Sequence, residues 1–183
     1  MGRAEPASDG AVVRAVLAGD VEQFAVLVRR YRDRYARYAA HMLGSADAAE
    51  DAVQDALIRA FDQLRQCREP DRFAGWFFLI LRNRCFAERR RGSREARPLE
   101  EAQQVATSLD GPDGAVERTE RRRALQRALL ALTPEQREVF VLKHVEGLPY
   151  EEIAQRTGAT VASLKMRMHR AYDRLRGELE EHR

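Results

Sequence analysis

The chain has 183 residues, of which 44% are hydrophobic, 33% charged and only 7% aromatic, with a net charge of +3 and a pI near 9.1. At about 150 residues per domain this length suits one domain or two small ones. The abundance of Leu, Ala, Arg and Glu favours packed helices over sheet. No window approaches the roughly 18 apolar residues of a membrane span, and the polar start Met1–Gly10 lacks the apolar stretch of a signal peptide. Cys67 and Cys85 stand apart, outside any CxxC or ligand spacing. The expectation is a cytoplasmic protein with reduced thiols, no metal, no cofactor and no membrane insertion.

In chain order, a short helix is expected over Ala11–Ala18, stopped by Gly19. The next should start at Asp20, with Gln23 completing a capping box. Phe24, Leu27, Val28, Tyr31, Tyr35, Tyr38 and Met42 give it one apolar face, and Gly44 ends it. Asp47, with Glu50 three residues on, should cap a helix running to about Leu64. Its buried stripe reads Ala49, Val53, Ala56, Leu57, Ala60, Phe61 and Leu64. Pro70 then breaks the pattern. Asp71 should cap a third helix that carries Phe73, Trp76, Phe77, Ile80 and Leu81 into an arginine-rich end near Arg91, with Trp76 assigned to the core.

Periodicity fails from Gly92 to Gly114, where Pro98, Gly111, Pro112 and Gly114 punctuate polar and acidic residues. Helical pattern returns from Ala115. Leu125, Leu129 and Leu132 form a stripe, and Thr133-Pro134-Glu135-Gln136 is a strong helix start. Two helices follow, Tyr150–Thr157 and Val161 to about Glu180, with Gly158-Ala159-Thr160 between them. The expected fold is all-α: one small helical domain over 1–93, a flexible acidic linker over 94–114, and a second helical domain over 115–183.

The last two helices have the signature of a helix-turn-helix. Ala154 supplies the small residue at the crossing and Gly158 the turn, while Ile153, Val161, Leu164 and Met168 form the shared apolar wedge. The opposite face of the second helix presents Ala162, Ser163, Met166, His169 and Arg170, flanked by Lys165 and Arg167, with Arg174 a turn further on. From Thr160 to Arg176 the net charge is +4, which fits a helix in the DNA major groove with later arginines on phosphates.

The Asp47–Asp62 stretch is its electrostatic opposite, with a net charge of −4. Glu50, Asp51, Gln54, Asp55 and Ile58 share one face, which repels DNA and suits a basic protein partner. From Arg82 to Arg97 the net charge is +5, next to a compact aromatic group; such a combination can stack unpaired bases and follow phosphates. The four histidines, His41, His144, His169 and His182, are scattered, and neither a phosphate loop nor a nucleophile motif appears, so no enzyme is expected. A free-standing helix-turn-helix repressor or activator would explain the last third but leave the acidic and the arginine-rich helices without work.

Three segments in order, DAAEDAVQDALIRAF at Asp47–Phe61, FAGWFFLILRNR at Phe73–Arg84 and Leu132–Arg170 with LTPEQREVFVLKHVEGLPYEEIA inside it, resemble the sigma-70 family of RNA polymerase sigma factors. The short two-domain form resembles its extracytoplasmic-function (ECF) group. The resemblance implies that the Asp47–Phe61 helix binds the clamp helices of the polymerase β′ subunit, with Asp51, Gln54 and Asp55 central. It implies that the Leu64–Asp71 loop and Arg82–Arg91 hold the melted −10 element. The loop's Cys67, Arg68 and Glu69 would capture a flipped base, with Asn83 near the non-template strand and Arg82, Arg84, Arg89, Arg90 and Arg91 on the backbone. It further implies that the helix-turn-helix reads the −35 element and sits on the β flap, that the linker threads the polymerase toward the RNA exit channel, and that an anti-sigma factor is a further partner. Two departures stand out: Pro149 replaces a common capping Ser, and Leu79 and Ile80 lie near the tryptophan pair of housekeeping members.

Overall fold

The computed structural model describes residues 7–94 and 124–180, and within them every regular element is helical. The linker expected over 94–114 therefore lies outside the described residues, apart from its first position. Helix α1 spans Asp9–Leu17 and begins two residues before expectation, because Ser8 caps it by accepting the Ala11 amide at 3.2 Å. Helix α2 spans Phe24–Leu43. Asp20 does not cap it: its carboxylate takes the side-chain amide of Gln23 at 3.2 Å, and Val21–Gln23 tightens into a 3-10 turn ahead of the helix.

Helix α3, Ala46–Asp62, is capped by Ser45, which accepts the Ala48 amide at 3.3 Å. Asp47 falls in the first turn instead, where a negative charge still suits the helix N-terminus. The buried face of α3 is made largely of Ala49, Ala52, Val53, Ala56 and Ala60, small enough for α2 to approach closely. Phe61 departs from the expected stripe: it is 42% exposed and meets Phe24 edge-on, with ring centroids 5.1 Å apart. Helix α4, Phe73–Arg94, follows a 3-10 turn over Pro70–Arg72. Asp71 is not its cap, since its carboxylate pairs with Arg14 at 3.3 Å.

The α2–α4 contact is aromatic. Phe73, Phe77 and Phe78 are buried with Tyr35 and Tyr38, and the Tyr35 hydroxyl donates to the carbonyl of Ala74 at 2.9 Å. Full burial of side chains this size contributes about 1.5–3 kcal/mol each. Trp76 packs half-buried on this cluster, 5.9 Å from Phe73, as the sequence leads one to expect.

The C-terminal part comprises α5 (residues 124–131), α6 (Pro134–Phe140), α7 (Tyr150–Thr157) and α8 (Val161–Glu180). Thr133 and Gln136 make the expected reciprocal capping box, at 3.1 and 3.3 Å. Beyond Phe140 the helix widens into a π turn over Val141–Val145, which the sequence pattern does not announce. Pro149 leaves the start of α7 without a side-chain cap.

The two parts share one core. Val139, Val141, Leu142, Ile153, Leu164 and Met168 belong to the same buried cluster as the aromatics of α2 and α4. Gly44 sits in this seam with φ +80°, and a Cβ there would meet Leu130 Cδ2 at 2.6 Å. Arg137 of α6 is fully buried and has no carboxylate partner among the described residues. Its Nη1 donates to the carbonyl of Met42 at 2.6 Å and its Nε to that of Leu129 at 2.5 Å. Both carbonyls lie in the last turns of helices, α2 and α5, so two helix C-termini together offset the cation.

Candidate nucleic-acid and protein interfaces

The helix-turn-helix assembles as its spacing implies. Gly158 turns the chain at φ +73°, and Thr160 opens α8 by accepting the Ser163 amide at 3.2 Å. Ile153, Leu164 and Met168 are buried at 0%, 1% and 3% exposure, which fixes the rotation of α8. That rotation turns Lys165, Met166, His169, Arg170 and Arg174 outward, with Ser163 and Arg167 at the margins. Met166 is 57% exposed, and Arg170 leans on it with Nη2 at 3.6 Å from the sulfur. His169 faces Asp173 at 3.7 Å and Arg174 faces Glu178 at 3.8 Å; both are exposed pairs on one helix, worth little in stability and easily exchanged for phosphate. The wedge side of α8 is thus closed off and its basic side open.

On α3, Glu50, Asp51, Gln54 and the 53%-exposed Ile58 lie on the outward face, with Asp55 at its edge. Two of the acids already carry a cation. Glu50 pairs with Arg32 of α2 at 2.7 Å, and Asp55 pairs with Arg84 of α4 at 2.9 Å. Asp51 and Gln54 remain the open polar groups at the centre of the face.

The arginine-rich end of α4 divides into two sets. Asn83, Arg90 and Arg91 are exposed. Arg82, Arg84 and Arg89 are drawn inward, which the charge count along the chain does not reveal. Arg82 lies over the Phe86 ring at 4.6 Å and grips Glu138 of α6 with both arms, Nε at 2.5 Å and Nη2 at 3.0 Å; this bond holds its proton more firmly than usual. Arg84 bridges Asp55 and Glu88. Burial lowers the pKa of Arg89, and its charge repels Arg137.

In the loop between α3 and α4, Arg68 and Glu69 are exposed and Glu69 pairs with Arg72 at 3.0 Å. Cys67 corrects the expected loop triad: its side chain is only 4% exposed and points toward the carbonyl of Glu69 at 3.6 Å. Burial raises the thiol's pKa, so the group is an anchor for the loop and not an outward contact.

Sequence reasoning placed Tyr38 on an apolar face but missed Arg137 and Glu138, which are buried with it between the N- and C-terminal parts. The Tyr38 hydroxyl lies 3.4 Å from Glu138 Oε1, and burial pushes its pKa far upward. A signal was present in the chain: Arg137 and Glu138 sit one turn inside a well-capped helix, beside Val139, where a solvated face would not run on. The partner 56 residues upstream could not be read there.

These features define a helical protein with a DNA-reading helix-turn-helix and a second module carrying separate acidic and basic faces. Residues 27–95 match the model of the family described as Sigma-70 region 2, and residues 122–175 that of Sigma-70, region 4. The ECF RNA polymerase sigma factor SigE of Mycolicibacterium smegmatis is 35% identical over 85% of this chain, which spans 61% of that relative's length. The ECF RNA polymerase sigma factor SigM of Mycobacterium tuberculosis is 31% identical over 92% of this chain and 83% of its own. A similar solved structure is the sigma factor RpoE of Bartonella quintana in complex with the anti-sigma factor NepR. Its TM-score is 0.63 at 25% identity, covering 88% of this chain and 99% of that one. The chain belongs to the sigma-70 family, as an RNA polymerase sigma factor of the ECF type. The match to region 2 removes the free-standing helix-turn-helix regulator, which has no use for that module.

Proposed function

We propose that this sigma factor divides its work among three exposed faces, and that the sign of charge on each selects its partner. Asp51 and Gln54, with Glu50, Asp55 and Ile58 around them, dock on the β′ clamp helices of core polymerase. Arg68, Glu69, Asn83, Arg90 and Arg91 hold the melted −10 strand, joined by Arg82, Arg84 and Arg89 once their internal partners release them. Ser163, Lys165, Met166, Arg167, His169, Arg170 and Arg174 read the −35 element, while the same module rests on the β flap. The working units are 1–93 and 115–183, and the acidic stretch over 94–114 runs through the polymerase toward the RNA exit channel.

The observation that carries this reading is the segregation of charge. A predominantly acidic face with an exposed isoleucine on α3 and a predominantly basic face on α8 are both open to solvent, each keeping its sign despite single opposite charges such as Arg32 beside Glu50 and Asp173 beside His169. The protein acts in the cytoplasm and carries no catalytic activity of its own. It lends the polymerase two DNA-reading modules and stabilises unpaired bases, each of which costs a few kcal/mol to unstack. An anti-sigma factor, as seen with the RpoE structure above, is its expected antagonist.

The test is Asp51→Arg, which reverses the charge of an exposed acid without disturbing an ion pair. The variant should fold and bind DNA as before but fail to co-purify with core polymerase. Undiminished core binding would remove α3 from the interface.

A further inference from the structure

Helix α1 carries a glycine that helix formation alone does not favour. Gly10 lies in the first turn with helical backbone, where alanine is the better residue by propensity. Asp71, from the 3-10 turn that leads into α4, gives the physical reason: a Cβ on Gly10 would meet Asp71 Oδ1 at 1.9 Å and Cγ at 2.6 Å. Arg14, one turn further along α1, closes over the same carboxylate with both arms, Nη1 at 3.3 Å from Oδ2 and Nη2 at 3.4 Å from Oδ1. The glycine thus leaves a notch in which an arginine fork holds a carboxylate from the loop between α3 and α4.

The notch is built on a fixed post. Val12, Val13 and Val16 of α1 are buried, and Asp9 accepts from Arg30 Nη1 and from the Tyr31 hydroxyl, both on α2. The loop has a second anchor before Asp71. Leu64 is buried, and the Glu69 carbonyl takes the Cys67 thiol at 3.6 Å and the Arg72 amide at 2.8 Å. Between Cys67 and Asp71 stand Arg68, Glu69 and Pro70, and the proline ring fixes its own φ. The exposed side chains of Arg68 and Glu69 are therefore carried on a backbone held at both ends.

We infer that Gly10 and Arg14 are positioning residues for base selection in the −10 element: through Asp71 they set where Arg68 and Glu69 stand when an unpaired base is captured. This rests on the reading of that loop as a −10 contact. Helix α1 precedes residues 27–95, which match region 2, so the notch recruits a segment outside the matched residues. An exposed ion pair adds little to stability. Its effect lies in the fraction of time the loop keeps its competent geometry, and so appears in −10 selection before it appears in unfolding.

The experiment uses full-length variants assembled with core polymerase on a promoter that the wild-type holoenzyme selects from a randomised library. Single-base changes in its −10 and −35 elements read preference at each element, and urea unfolding of the free protein reads stability. Gly10→Ala and Arg14→Gln should each lower −10 preference about fivefold, the factor expected when the competent loop geometry falls to about one fifth of the population. Preference at −35, core affinity and the urea midpoint should stay as in wild type. Arg14→Lys should recover part of the loss, since it keeps the charge but not the fork. In an Asp71→Ala background, Gly10→Ala should have no further effect, because the carboxylate it displaces is gone. Unchanged −10 preference in both single variants, an additive loss in the double variant, or an equal loss at −35 overturns the inference. Should Gly10→Ala fail to fold, the exposed Arg14→Gln decides the same comparison. Arg68→Ala with Glu69→Ala is a separate arm: if it leaves −10 preference intact, the reading of the loop falls and the inference with it, whereas a loss there beside normal Gly10→Ala and Arg14→Gln proteins overturns the positioning role alone.

Discussion

Replacing Arg137 sets two large effects against each other. Arg137→Ala deletes two charge-assisted bonds, to Met42 and Leu129, worth about 3–6 kcal/mol together. It also leaves a cavity, comparable to a large-to-small core change at about 2–4 kcal/mol. Against this stands relief. Burial and the nearby Arg89 lower the guanidinium's pKa to about 9, equivalent to roughly 5 kcal/mol of unfavourable environment that the substitution removes. The net expectation is a loss of about 2–4 kcal/mol. Arg137→Met keeps most of the volume and removes the charge, so it should fall within about 1 kcal/mol of wild type. Leu129 also helps, because its carbonyl keeps a second donor in the Leu132 amide at 3.2 Å. Urea unfolding followed by circular dichroism measures both variants. A methionine variant as unstable as the alanine variant would show that the two carbonyl bonds, and not packing against charge burial, set the balance, and the reasoning would fail.

Three further outcomes are expected. Thr133→Ala removes half of the capping box and should cost about 1 kcal/mol in the same urea assay, with no loss for the conservative Thr133→Ser. His169→Ala with Arg170→Ala should weaken transcription from −35-dependent promoters about tenfold while leaving core binding intact; unchanged promoter strength would mean that α8 faces the groove with other residues. Alkaline stability is set partly by Tyr35. Burial, ahead of the opposing nearby arginines, pushes its pKa to about 12, so the unfolded chain loses this proton first as pH rises past 10. The stability that Tyr35 contributes is whole below pH 10 and lost between pH 10 and 12, roughly 3 kcal/mol, readable as a falling urea midpoint.

The chain by itself determined whatever depends on neighbours a few residues away. Periodicity located the helices, Thr133-Pro134-Glu135-Gln136 specified its own capping box, and Gly158 with its apolar wedge fixed the rotation of α8 and therefore its open face. Local pattern misled where two side chains had a choice. Asp20 and Asp71 look like caps, yet each carboxylate found a side-chain partner instead, and Ser45 took the role expected of Asp47. Only the tertiary structure decided which charges are free. A count along the chain treats Arg82, Arg84, Arg90 and Arg91 alike, because their spacing carries no information about groups distant in sequence. Folding brings Glu138 and Asp55 to two of them and leaves the other two in water. The difference is one of solvation: these two charges, drawn out of water, are each paired by another helix, Arg84 by α3 and Arg82 by α6 on the far side of the linker.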